Sequence, residues 1–231
     1  MYYGYQNSYY EQQERNLLGH IRRTYGMMAA GLTLTFAVAL LTAYFLPRLV
    51  FSFPLAVILL LAQVICVIAF GSMLHRASYG AVVGMYLAYA TLTGVSISYI
   101  FALYSMQTIF LCFAAAALSF GILALLGHST RRDLSGYGRF FLVGLIGLLL
   151  ISVVGFFIGS TVLELVICCL GLVLFLGITA YDTQKLRRHF ESGYTQGELA
   201  KKASVYFAMQ LYLDFINIFL YIVRLFGRSR D

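Results

Sequence analysis

Charge is scarce in this chain. Only 11% of its 231 residues are Asp, Glu, Lys or Arg, against roughly 25% in a soluble domain. With 61% hydrophobic residues, that scarcity excludes an ordinary globular protein and leaves a polytopic membrane protein. Proline is almost absent: Pro47 and Pro54 flank one short loop, and none follows. Cysteine is limited to Cys66, Cys112, Cys168 and Cys169, all inside apolar runs and without CxxC or His/Cys metal spacing. They read as small buried hydrophobes rather than as disulfides or metal ligands. The nine acids are outnumbered by sixteen bases, for a formal charge of +7. Those bases cluster in short connections between apolar runs. That placement is an orientation signal and argues against a nucleic-acid partner.

Seven apolar segments are present, at roughly 25–46, 53–74, 79–103, 107–127, 139–159, 162–181 and 203–226. Each reaches the ~20 residues needed to cross ~30 Å of hydrocarbon. The predicted organisation is a Tyr-rich cytosolic tail over 1–24, a seven-helix transmembrane domain over 25–227, and a short tail over 228–231. The opening MYYGYQNSYYEQQERN has no apolar core, so it is not read as a secretory signal; its composition predicts disorder.

Twelve basic residues fall on one side of these segments: Arg15, Arg22, Arg23, Arg76, Arg131, Arg132, Arg139, Lys185, Arg187, Arg188, Lys201 and Lys202. The opposite loops hold only Arg48. The positive-inside rule therefore puts the N-terminus in the cytoplasm. Arg224, Arg228 and Arg230 run against that bias if the last segment crosses fully. A full crossing is the preferred reading, given the length of the run, and a re-entrant segment is the alternative.

Asp214 lies inside the last apolar run, ASVYFAMQLYLDFINIFLYIVRLF. A carboxylate at mid-bilayer costs on the order of 2.5–3.5 kcal/mol on the mildest scale, so it needs a partner or a wet cavity. Gln210, Asp214, Asn217, Tyr221 and Arg224 follow at alternating spacings of four and three, which places them on one helical face. Two readings fit that stripe: a helix–helix interface tied by hydrogen bonds, or an ion-accessible path with these side chains as lining. Asp182, at the end of the sixth segment in LFLGITAYDTQKLRRH, reads most simply as an interfacial residue at a helix end. Glu164 stands eighteen residues earlier on the same face, about 27 Å away along the axis. It is either an outer-mouth attractor for cations or an ordinary interfacial acid.

The strings AYDTQKLR (180–187) and LYLDFINIFLYIVRLFG (211–227) resemble the two signature segments of the Bax inhibitor-1 family, also called the transmembrane Bax inhibitor motif family. The seven-segment layout and basic connections match as well, over essentially the whole chain after the tail. The resemblance implies six helices wrapped around a central C-terminal seventh and a pH-sensitive calcium leak. It also implies a two-aspartate sensor, carried here by Asp182 and Asp214, which would also be the transient calcium ligands. In prokaryotic relatives an Arg near the end of helix two latches the helix-six acid. In GSMLHRAS the matching candidates are Arg76 and then His75. Family members often carry an acid midway along helix two; this chain has the uncharged Gln63 in LLAQVIC.

Two carboxylates in hydrogen-bond reach cannot both ionise cheaply. At ~4 Å and an effective dielectric of ~20 their repulsion is about 4 kcal/mol. Such a pair titrates as a unit, with one apparent value expected near physiological pH. The partners implied are calcium ions, protons and the lipid bilayer, with no resident cofactor. The alternative is a non-conducting interaction protein that modulates a membrane quality-control protease or a stress or cell-death pathway.

An enzyme is not expected. His20, His75, His128 and His189 all fall in predicted tails or connections. The helical motifs of intramembrane aspartyl proteases are met only at Tyr181–Asp182, with no Gly before Asp214. The short chain without sorting signals points to the cytoplasmic membrane of a bacterium.

Overall fold

The computed structural model of the protein describes residues 2–50, 52–74, 76–130, 132–192 and 197–227; the side chains of 2–14, 49, 50 and 73 lie outside that description. Seven helices are long and apolar enough to cross a membrane. They are α1 (Tyr2–Phe45), α2 (Phe53–Met73), α3 (Tyr79–Ile97), α4 (Met106–Ser129), α5 (Gly138–Ile158), α6 (Thr161–Glu191) and α7 (Gly197–Phe226). No strand occurs among the described residues, so the all-α, seven-span reading holds. The spans are covered very unequally. Of the apolar window of α7, 67% is buried, against 6% for α5 and 11% for α2. α7 is thus the most buried of the seven, as its polar residues require in a bilayer, while α2 and α5 leave most of their surface exposed.

Local sequence sets the helix ends. Ser78 and Ser105 cap α3 and α4, accepting from Ala81 N–H (3.4 Å) and Thr108 N–H (3.2 Å). Pro54 stands in the first turn of α2, where its missing N–H costs nothing. α5 ends on Gly159, whose φ of +65° closes the last turn in the left-handed region.

Two boundaries depart from the sequence reading. α1 is continuous from Tyr2, through the stretch where composition predicts disorder. The run EQQERNLL is made of good helix formers without Gly or Pro, so the apolar part of α1 extends outward as helix. α6 continues to Glu191, about ten residues past the apolar run. Its polar end is anchored by the buried Leu186 and Phe190, the latter stacked on His20 at 4.5 Å, and the Arg187–Glu191 pair at i,i+4 adds a few tenths of a kcal/mol.

The chain forms two compact units, residues 1–102 with 186–212 and residues 103–185 with 213–231. In the first, α3 packs on α1 and α2. The N-terminal part of α7 is tied in by polar contacts. Glu198 accepts from Tyr79 N–H at 2.9 Å, and His20 Nδ1 lies 3.1 Å from Ser204 Oγ. Tyr212 OH lies 2.6 Å from Thr35 Oγ1, which itself donates to Ala90 O at 2.9 Å. Because the Thr35 proton goes to that carbonyl, Tyr212 is the donor to Thr35. Tyr212 is fully buried and meets Tyr86 and Tyr89 edge to face. Tyr212→Phe removes this donor and is expected to cost about 1 kcal/mol, read as a lower midpoint of thermal unfolding in detergent. Tyr44→Phe, at an exposed position on α1, is the control.

In the second unit, Phe215 of α7 packs edge-on against Phe113 and Phe120 of α4, at 5.2 and 5.8 Å between ring centroids. Tyr221 lies against Phe175 of α6 at 6.0 Å and covers Gly171, where a Cβ would enter its ring. These aromatic contacts join α4 and α6 to the C-terminal part of α7.

Candidate functional site

Asp182 and Asp214 both belong to the second unit and are both buried, at 6% and 3% exposure. The charge of Asp182 acts on Asp214, and the Lys185 ammonium acts on both. Asp214 Oδ2 has no hydrogen-bond partner among the described residues, and the same holds for Thr183 Oγ1. The pair sits in a buried setting in which a shared or lost proton changes the local energy strongly.

Asp182 is not the helix-end residue that its sequence neighbourhood suggests. With α6 running to Glu191, it stands about two and a half turns inside the helix. Its surroundings come from the motif around it. Ala180 is met by Gly127 of α4, where a Cβ would collide with the Ala180 carbonyl. Tyr181 stacks beside Phe141 of α5 at 5.6 Å and comes close to Gly138, where a Cβ would lie 2.7 Å from its hydroxyl. Lys185 was legible only as part of a basic connection. It stands one turn after Asp182, half-buried, with its Nζ 6.0 Å from the centroid of the Tyr181 ring. The i,i+3 spacing to Asp182 was the available signal for this role.

The polar stripe of α7 divides by partner. Gln210 lies in the first unit, half-buried, with Oε1 unpartnered among the described residues. Asn217 donates its amide to Leu213 O at 2.8 Å, within its own helix. Arg224 is exposed and lies beside the buried Cys168 thiol; Glu164, one turn before Cys168, is also exposed. Arg76 is exposed in the connection after α2, and His75 lies outside the described residues. Gln63 donates to Ser96 Oγ at 2.9 Å, so the neutral residue in the middle of α2 is paired with a neutral hydroxyl.

The histidines differ from the sequence expectation: His20, His128 and His189 lie in helices, not in connections. His20 lies beside Ser204. Ser204 is fully buried and donates to Ala200 O at 3.2 Å. All four cysteines are free thiols.

Seven apolar spans with one buried acidic pair and an adjacent ammonium define a polytopic membrane protein with an ionisable centre. The family model described as Inhibitor of apoptosis-promoting Bax1 matches residues 17–231. The chain belongs to this family, the Bax inhibitor-1 family. It is 42% identical over 209 residues to a protein of Deinococcus radiodurans, covering 90% of each chain. To the inner membrane protein YbhL of Escherichia coli K12 it is 37% identical over 223 residues, 95% of each. A Rickettsia prowazekii relative is 35% identical over 222 residues, 94% of this chain and 93% of its own.

Proposed function

We propose that this protein is a pH-sensitive calcium leak of a bacterial cytoplasmic membrane, with its N-terminus in the cytosol and the Asp182–Asp214 pair as gate and proton sensor. One observation carries the reading: two buried, mutually interacting carboxylates, one with an unpartnered oxygen. A single proton held between them joins α6 to α7. Its loss places two negative charges against each other, loosens the contact, and presents oxygen ligands to a hard cation. Calcium normally takes six to eight oxygens. Two carboxylates with water therefore form a passing site suited to permeation rather than storage. Lys185 limits that repulsion from within the same helix, while Glu164 and Arg224 shape the field near the other end of α6 and α7. Catalysis and a resident cofactor have no part in this scheme.

The test is calcium uptake into liposomes holding only the purified protein, measured from pH 6 to pH 8. A pH-dependent rate above protein-free vesicles is expected. Equal rates with and without protein at every pH would sink the leak, and would favour the role of an interaction partner for a membrane protease, to be sought by co-purification.

A further inference from the structure

Gln184 is almost wholly buried, at 4% exposure, although it follows Asp182 by only two residues in a polar stretch. Its side-chain amide is bonded at both ends to one short piece of backbone. Oε1 accepts from Leu134 N–H at 2.8 Å, and Nε2 donates to Arg132 O at 2.7 Å. Leu134 and Arg132 belong to the connection between α4 and α5, which is internally braced. Asp133 Oδ1 accepts from Ser135 N–H at 2.8 Å, and Tyr137 N–H reaches Leu134 O at 2.9 Å. Both ends of the Gln184 amide are thus matched to a rigid receptor, as a donor and an acceptor fixed in one orientation.

The position of Gln184 on α6 gives that clamp a consequence. At about 100° per residue, Ala180, Tyr181 and Gln184 lie on one side of the helix, and Asp182 points roughly opposite to them. That first side is the one held by Gly127, Gly138, Phe141 and the connection. We propose that Gln184 is a positioning residue: by fastening the outer side of α6 to the α4–α5 connection, it sets the rotation of α6 and so the approach of Asp182 to Asp214. The proposal rests on the leak reading for its consequence, but the clamp is testable without it. The charged groups around this segment are Asp182 and Lys185 on α6, Asp214 on α7, and the exposed Arg132 and Asp133 on the connection. Gln184 itself engages only backbone of the last two.

The experiment uses Gln184→Met, which keeps length and helix propensity while removing both bonds, and Gln184→Glu, which keeps the acceptor and loses the donor. Amide hydrogen exchange of the full-length protein in detergent reads the clamp directly. The segment 130–137 is expected to exchange at least about fivefold faster in Gln184→Met, as the loss of one net hydrogen bond of about 1 kcal/mol implies. In liposomes, the midpoint of the pH profile of calcium uptake is expected to move by about 0.7 of a unit, the same energy at 1.36 kcal/mol per unit. Unchanged exchange of 130–137 in both variants overturns the clamp. Faster exchange with an unmoved midpoint, while Asp214→Asn still alters the profile, overturns the positioning role. A profile that is flat in wild type as well removes the leak reading but leaves the exchange result standing. If Gln184→Met does not fold, Gln184→Glu carries both measurements.

Discussion

Asp214→Asn is expected to flatten the pH profile of calcium uptake, leaving a difference below about twofold between pH 6 and pH 8. Asparagine keeps the size of the side chain, so the packing around the buried Asp214 is preserved. What disappears is the second titrating group. The repulsion available to the ionised pair is on the order of 4 kcal/mol at ~4 Å and a dielectric of ~20. An equilibrium needs about 2.7 kcal/mol for a hundredfold change. A neutral amide facing Asp182 supplies none of this repulsion, whatever the state of Asp182. Asp182→Asn should act alike, because the two acids work as one unit. If either variant kept the wild-type swing, the sensor would lie elsewhere.

Gly127→Val should have the largest effect on folding. A Cβ at Gly127 would overlap the carbonyl of Ala180, a backbone atom that no rotamer change can move. Overpacking typically costs 1–3 kcal/mol, on the order of a fifth of the total stability of many domains. Here the backbones of α4 and α6 must separate, so a cost at or above the top of that range is expected. The measurable outcome is loss of a monodisperse peak on size-exclusion chromatography. Gly121→Ala, on the same helix with nothing within 4 Å of the added carbon, should be neutral or stabilising by up to about 1 kcal/mol. Equal behaviour of the two variants would refute the close approach.

The seven spans were legible because twenty consecutive apolar residues have few other uses. Asp214 was legible for the opposite reason, as a costly residue in such a run. The end of α6 was misjudged because hydropathy marks where the oil stops, not where the helix stops. The buried Leu186 and Phe190 carry the helix on past the apolar run. The helical start of α1 was missed for a similar cause: a polar stretch without Pro can follow a formed helix outward. Gln184 gave no signal, since its partners are backbone atoms fifty residues away whose position only the fold sets. Thr35 and Tyr212 are separated by 177 residues and met the same limit. For Asn217 the spacing gave the helical face but not the partner, because its amide bonds to the backbone of its own helix.

The last two helices are longer than a bilayer is thick. From Thr161 to Asp182, α6 rises about 32 Å, close to one full hydrocarbon thickness. With one hydrocarbon boundary at Thr161, Asp182 would stand near the other, with Lys185 one turn beyond. On the proposed reading, acyl-chain length is then expected to act as a second control on the acidic pair. Longer chains would draw the end of α6 deeper into oil and shorter ones would bring it towards the phosphates, so membrane composition would bear on the same centre that protons are proposed to gate.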